Sequence, residues 1–545
     1  MDFCNPECSN STKTVKEEKE DECSGSPLTH LFVELTSLEE LSFPTSSSTR
    51  IKYTCLDVST HYLAVGSTSG TVYLFTRFAS KYRNRISSVP IQVISIKDGP
   101  VIKLSISPNE KYLAAASKQG SLTITVLVDI GQNPITFFSS ESHVGTDEYG
   151  QPTHVTELRW CSDSSKVYAG DTKGRISRTL IHNRNFFRSP TDIIFETDSE
   201  IVQFDLRDDF LLASTLTRCC VCDLRTHSCI QVGKRLRKGH FGAVFYSNQK
   251  KRKSWYGEES NCVKPMSTNT CNELTVIFAS RPNGRLWEAN DRGVVYSTHH
   301  YRNLRTVCRF PVVSFRDENL FDSVANVNEI RSINFGLLTL IKCQNSLFLI
   351  TKTDTTFCLI DPMDSHVVLM STVDCLGSIN EYAINDADVF LLSETGSLRK
   401  LTLFTIEKAV EKLHWRQCYS QAAQLIYIDY IMNKGYNSVT VWNCKQLEDI
   451  LNKITFHHFK SYMTHEVLNA LHKILDELKT NVDIERKPKA APHQLNSDIH
   501  RVVQVMQNSG YGDDFAFRAL SPLRLRSKSS LRIKVYDYIN YPKFC

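Results

Sequence analysis

The side chains with the greatest chemical potential in this chain are a cysteine cluster, Cys219-Cys220-x-Cys222, with His227 and Cys229 close behind. Thiolates and imidazoles hold zinc, but a structural zinc site needs two knuckle pairs, and only Cys219 and Cys222 have that spacing. The cluster also falls in a strand-like segment, where Cys220 and Cys222 share one face and Cys219 points to the other. The expectation is core thiols and no metal. His465-Glu466 opens like a metalloprotease helix, yet the next histidine is His472, and His458, His465 and His472 recur by heptads. On a helix each such step is about 10.5 Å along the axis, too far to share one ion. These histidines read as a polar helix face.

Gly66-Ser67-Thr68-Ser69-Gly70 has the outline of a nucleophile elbow, but its centre is Thr and it leads into a hairpin instead of a helix. No GxxxxGK[ST] phosphate loop occurs. The basic run Lys250–Lys253 reads as a solvated loop, ahead of a nuclear signal or a lipid-facing patch. No nucleophile, base and oxyanion donor come together. No catalytic residues, no cofactor and no metal are therefore expected.

The glycines belong to a repeat. A short apolar strand, a tight turn and an alternating strand recur as YLAVGSTSGTVYLF (Tyr62–Phe75), YLAAASKQGSLTITV (Tyr112–Val126), VYAGDTKGRISRTL (Val167–Leu180), LLASTLTRCCVCDL (Leu211–Leu224), IFASRPNGRLWEA (Ile277–Ala289), LFLITKTDTTFCLI (Leu347–Ile360) and VFLLSETGSLRKLTL (Val389–Leu403). Four residues after the end of each first strand stand Gly70, Gly120, Gly174, Arg218, Gly284, Asp354 and Gly396. A turn with positive φ explains the glycines. A hairpin of this kind cannot bury both faces alone, whereas a ring of four-stranded blades covers them all. Further strands precede several hairpins, such as Thr54–Ser59, Ile102–Ser107, Val155–Cys161 and Ile201–Leu206.

The fold class is therefore an all-β, seven-bladed WD40-like propeller followed by a short α-helical region. Six blades remain the alternative, with the copy around Ile350 the one at risk. The GH and WD dipeptides of strong WD40 repeats are missing, so the propeller is a divergent one.

The organisation reads as a disordered N-terminal arm at 1–27, the propeller at 28–403 with a basic surface insertion at 233–272, an α-helical region at 404–510 and a basic tail at 511–545. In the helical region Ile406, Val410 and Leu413 share a face, as do Ala422, Leu425 and Ile426. Val467, Leu471, Ile474, Leu475, Leu478 and Val482 form a longer apolar stripe, opened by Thr464 as N-cap. That stripe is the candidate partner-binding surface. One more helix is expected over Asp498–Met506.

Composition sets the class. Hydrophobic residues make up 41% and charged residues 23%, values of an ordinary globular chain, and a net charge of +5 over 545 residues does not point to nucleic acid. The 18 cysteines come without an apolar leader at the N-terminus, and no apolar run suits a membrane span. Free thiols in a reducing, cytoplasmic setting are expected.

Longer phrases narrow the reading. IVQFDLRDDFLLASTLTRCCVCD (Ile201–Asp223), GHFGAVFY (Gly239–Tyr246), FASRPNGRLWEANDRGVVYSTHHYRN (Phe278–Asn303) and GSLRKLTLFTIEKAVEKLHWRQCYSQAA (Gly396–Ala423) resemble the Hermansky–Pudlak syndrome 5 protein family, over roughly Leu28 to Ala423. The tectonin β-propeller-repeat-containing protein 2 family shares some of these phrases and ranks second. The first resemblance implies a scaffold subunit of biogenesis of lysosome-related organelles complex 2, which directs cargo from early endosomes to melanosomes, platelet granules and similar organelles. Its implied partners are sister subunits and Rab-family GTPases, with peripheral membrane association through those partners. The second implies autophagy and secretory trafficking. The family usually has a much longer C-terminal region than this sequence, which reads either as a shortened form or as one that ends early. The rivals from other classes are a small-ligand binder or enzyme, which needs a focused polar cluster in the channel, and a ubiquitin-ligase substrate receptor, which needs an adaptor helix before the propeller.

Overall fold

The computed structural model describes residues 28–42, 50–79, 84–96, 98–127, 134–181, 190–247, 276–301, 312–315, 333–353, 356–362, 366–372, 376–432, 442–456 and 465–486. Seven sheets, antiparallel except for a short parallel pairing of Val33 and Glu34 with Val313 and Ser314, form a propeller. The first strand of each blade is the innermost: Tyr53–Val58, Val101–Ile106, Val155–Trp160, Ile201–Arg207, Ala243–Tyr246, Leu337–Cys343 and Ile379–Asn385 for blades 1 to 7.

Apolar side chains of adjoining blades interlock, which is why alternation along the middle strands is weak: both of their faces are covered. Between blades 2 and 3, for example, Ala114, Ala116, Leu122 and Ile124 pack with Val155, Leu158, Trp160 and Val167. The copy around Ile350 is a regular blade, with Leu349 and Ile350 fully buried in its second strand, Ser346–Lys352. Seven blades stand, not six.

The ring is closed by the N-terminal strand His30–Ser37, which runs antiparallel to Leu398–Thr405 and completes blade 7. Closure of this kind removes the free edges that a propeller would otherwise leave at its chain ends. The seam is clasped by charge. Asp388 of blade 7 lies 3.0 Å from Arg77 of blade 1 and 3.0 Å from Lys400, and Arg399 lies 2.7 Å from Glu34.

The five glycines of the repeat all have positive φ, from 63° at Gly284 to 90° at Gly120. At Gly120 a Cβ would come within 2.6 Å of the His143 carbonyl oxygen, so space as well as torsion requires glycine. Arg218 makes a different turn, in which the Thr215 hydroxyl accepts its N–H at 3.1 Å. Asp354 lies outside the described residues.

Two expectations need correction. The stretch assigned to a surface insertion at 233–272 contains Ala243–Tyr246, the innermost strand of blade 5, with all four residues buried. A four-residue strand with no polar alternation, preceded by basic residues and separated from its partner at Val276, gives little periodic signal. Residues 248–275, with the Lys250–Lys253 run, lie outside the described residues. Secondly, Cys222 and Cys229 are joined as a disulfide, contrary to the expectation of free thiols throughout. Adjacent strands set the two directly opposite each other with Cα atoms 4.1 Å apart.

Candidate functional site

Propellers present their chemistry in the central channel or on their two faces. Here the first strands of all seven blades enclose a channel of about 580 Å³. Alternation along these strands turns charged side chains inward, where several are engaged by neighbours. Lys103 of blade 2 lies 3.3 Å from Glu157 of blade 3 and 2.7 Å from Glu381 of blade 7. Arg159 of blade 3 lies 3.0 Å from Asp205 of blade 4.

The carboxylates also reach the backbone of the next blade. Glu381 accepts the Leu56 N–H at 3.0 Å, Asp57 accepts the Ile106 N–H at 2.6 Å, and Asp205 accepts the Phe245 N–H at 2.8 Å. Thr339 and Tyr382 join blades 6 and 7 at 2.9 Å. Gln203 of blade 4 accepts the Leu338 N–H of blade 6 at 3.2 Å. The wall is thus a ring of side chains stitched from blade to blade.

Electrostatics follow from burial and from these pairs. Burial pushes the Asp57 carboxyl up to about 6, against the opposing Ile106 N–H. Burial likewise raises Glu157, with Lys103 opposing it. For Lys103 burial pulls the ammonium down, but Glu157 and Glu381 outweigh it and hold it above an ordinary lysine.

One constellation has the outline of a hydrolase triad. His143 Nδ1 lies 2.9 Å from Asp171 Oδ2, and its Nε2 lies 2.7 Å from Ser177 Oγ. All three side chains are fully buried, and Asp171 also takes the Arg175 guanidinium at 2.7 Å. A nucleophile must meet substrate, so this is a structural clasp of blade 3, tying the 142–145 turn to the second and third strands. The sequence offers a signal for it only in hindsight: His143-Val144-Gly145 precedes the Asp171 turn by one strand pair.

The cysteine cluster sits as strand alternation demands. Cys220 and Cys222 pack with Tyr168, Ile176 and Phe204, while Cys219 and Val221 pack with Val232 and Ile277 on the other side. Among the described residues no group of three or more potential ligands could hold a metal ion. His465 and His472 are exposed on their helix, and His458 lies outside the described residues.

After blade 7 the described residues form four helices: α1 Ile406–Trp415, α2 Tyr419–Met432, α3 Cys444–Phe456 and α4 His465–Arg486. Thr405 caps α1 by accepting the Lys408 N–H at 3.3 Å. Helix α2 is covered along most of its length, Gln421 and Gln424 included. Helix α3 escaped the sequence reading, although Leu447, Ile450, Leu451 and Ile454 recur at helical spacing and all four are buried.

On α4, Val467, Leu471, Ile474, Leu475 and Leu478 are between 0% and 7% exposed. The side chain of Val482 lies outside the described residues, as do Thr464, Asp498–Met506 and the basic tail. Among the described residues no helix is long and apolar enough to cross a membrane.

Comparison with known proteins places this architecture. A family model described as the HPS5 beta-propeller matches residues 32–395. The chain is 30% identical over 407 residues to the BLOC-2 complex member HPS5 homolog of Aedes aegypti, covering 70% of this chain and 44% of that protein. It is 26% identical over 508 residues to the human BLOC-2 complex member HPS5, covering 89% of this chain and 40% of that protein. Human tectonin beta-propeller repeat-containing protein 2 matches less of it, at 28% identity over 250 residues, 45% of this chain and 15% of that protein. The chain therefore spans less than half the length of the HPS5 relatives it matches. With seven blades and the N-terminal strand closing the ring over the span that the family model matches, the chain belongs to the HPS5 β-propeller family.

Proposed function

We propose that this chain is a non-enzymatic scaffold subunit of a multi-subunit trafficking complex of the BLOC-2 type, delivering cargo from endosomes to lysosome-related organelles. The observation that supports it most is the channel wall. Its residues Asp57, Lys103, Glu157, Arg159, Asp205 and Glu381 are engaged by one another and by neighbouring backbones, the arrangement of a ring built for rigidity and not of a pocket that focuses charge on a ligand. The buried His143 supports the same reading, because its Ser177 and Asp171 partners are closed to any substrate.

In this reading the propeller is a rigid platform and the helices after Thr405 contact sister subunits. The stripe from Val467 to Leu478 on α4 is buried, and the polar back of that helix is offered to the partner. Rab-family GTPases are proposed as recruiters from the cytosol to endosomal membranes. The test is affinity purification of the tagged full chain from native cells, with partners identified by mass spectrometry. Recovery of the other complex subunits supports the proposal. Recovery of a cullin-type ligase in their place favours the substrate-receptor reading.

A further inference from the structure

In blades 1, 2 and 5 the turn between the second and third strands sits against the segment that leads into the next blade. Gly70 abuts the carbonyls of Ile96 and Gly99, Gly120 abuts those of His143 and Thr153, and Gly284 abuts those of Tyr301 and Ile333. These turns and connections make one face of the disk. The third strand of blade 7 runs from the Gly396 turn to Thr405, so helix α1 starts from the opposite face.

The connection from blade 4 to blade 5, Gly233–Gly242, lies on the first face and is basic. Lys234, Arg235 and Lys238 are exposed, and no carboxylate among the described residues forms an ion pair with any of them. Beneath them lie two buried arginines that also lack an acid. Arg237, 5% exposed, donates to the carbonyls of Ser280 and Arg218 at 2.9 and 3.1 Å, and its Nε has no partner. Arg281, 6% exposed, donates to the Leu236 carbonyl at 2.7 Å and stacks 4.0 Å over the Trp287 ring. Burial, then the Arg237 and Arg285 charges, depress the Arg281 guanidinium to about 10.

The loop is also held rigidly and carries an aliphatic tip. Its start is pinned by the Gly233 N–H donating to the Gly293 carbonyl at 2.8 Å, and its middle by Arg281 on the Leu236 backbone. The Leu236 side chain is left 59% exposed between Arg235 and Arg237, and Val294, beside the anchoring Gly293, is 58% exposed. Asp291, on that same turn, is exposed and pairs with none of the basic residues. Cations flanking an outward aliphatic group, on one flat face of a disk, suit a bilayer interface: phosphates meet the cations while the aliphatic tip enters the acyl boundary. Nucleic acid would use the cations but not Leu236, and aromatic side chains would serve it better.

We propose that this face docks directly on an anionic membrane, with Lys234, Arg235 and Lys238 on lipid phosphates and Leu236 inserted, leaving the helical face free for protein partners. This adds a direct contact to association through partners, and its failure would leave the subunit proposal standing. The experiment is co-sedimentation of the full chain with phosphatidylcholine vesicles containing roughly 30 mol % phosphatidylserine, against phosphatidylcholine alone. Binding is expected only to the anionic vesicles. K234A/R235A/K238A should lower partitioning on the order of 100-fold, and Leu236→Ser by about tenfold. Neither variant should shift thermal unfolding, since the altered side chains are exposed. Leu236→Ser should also leave binding of soluble inositol hexakisphosphate unchanged, which separates a bilayer from a free phosphate. Equal sedimentation with both vesicle types, or a triple variant that binds as the wild type does, overturns the proposal. So does an unchanged Leu236→Ser variant with polyglutamate or single-stranded DNA bound as tightly as the vesicles, an outcome that assigns the loop to an acidic macromolecule.

Discussion

Lys103 Nζ lies 2.7 Å from Glu381 Oε1, joining blade 2 to blade 7 past blade 1, which stands between them in the ring. The same ammonium lies 3.3 Å from Glu157 of blade 3, so a single cation holds the first strands of three blades. A closed ring resists opening only if each seam holds, and this contact spans the seam between blades 7 and 1, where the N-terminal strand closes the propeller. Lys103→Met should therefore leave two carboxylates facing each other in a largely desolvated wall and cost about 2–4 kcal/mol. The triple variant Lys103→Met/Glu157→Gln/Glu381→Gln should recover most of that loss. Urea denaturation followed by tryptophan fluorescence reads both, and a Lys103→Met variant as stable as the wild type would remove the ring from the account.

Asp57 gives the channel a pH signature. Its folded-state carboxyl is raised from 3.8 to about 6 by burial, so the folded chain holds a proton there that the unfolded chain has released. Its contribution to stability is therefore present below about pH 4 and is lost as pH rises through about 6. Asp57→Asn keeps an oxygen for the Ile106 N–H and does not titrate. Relative to wild type it should gain about 1–3 kcal/mol between pH 4 and pH 7. Parallel pH–stability curves for the two proteins would contradict this.

The buried clasp of blade 3 separates structural from catalytic roles. His143→Ala should destabilise by about 2–4 kcal/mol, because it opens a cavity and strips partners from Asp171 and Ser177. Ser177→Ala should cost about 1–2 kcal/mol. A fluorophosphonate probe should leave Ser177 unlabelled in the native protein. Labelling at that residue would turn the clasp into an active site.

Helix α4 has a packed apolar face, so its substitutions act first on folding. Leu471→Asp with Leu478→Asp should reduce the helical signal in circular dichroism while the propeller's cooperative unfolding transition persists. Co-purification of sister subunits should weaken in parallel. If the helical signal drops and the subunits still co-purify at the wild-type level, the partner surface lies on the propeller.

Much of the fold was legible because the repeat advertises itself through turn glycines: Gly70, Gly120, Gly174, Gly284 and Gly396 each mark a hairpin by a torsion that other residues avoid. Leu349 and Ile350 were harder to place, since their turn lacks glycine and their strand is apolar on both faces. The closing strand His30–Ser37 was not legible, because its partner, Leu398–Thr405, lies at the far end of the propeller in sequence. Local patterning does not report a pairing of that kind. The channel ring was hidden for the same reason: Lys103, Glu157 and Glu381 look like isolated surface charges until the blades bring them together. Helix α3 was legible and overlooked, as Leu447, Ile450, Leu451 and Ile454 already have helical spacing. The buried state of Leu471 and Leu478 was not, because an amphipathic stripe looks the same whether its cover is internal or a partner.

The central claim is that this propeller serves a trafficking complex as a scaffold, and quantitative affinity purification of the tagged full chain from native cells tests it most directly. The account expects the remaining subunits of the complex at near-stoichiometric abundance, undiminished when Ser177 is changed to Ala. A full chain recovered alone, or one whose partners are lost when that buried serine is replaced while the fold is intact, would contradict it.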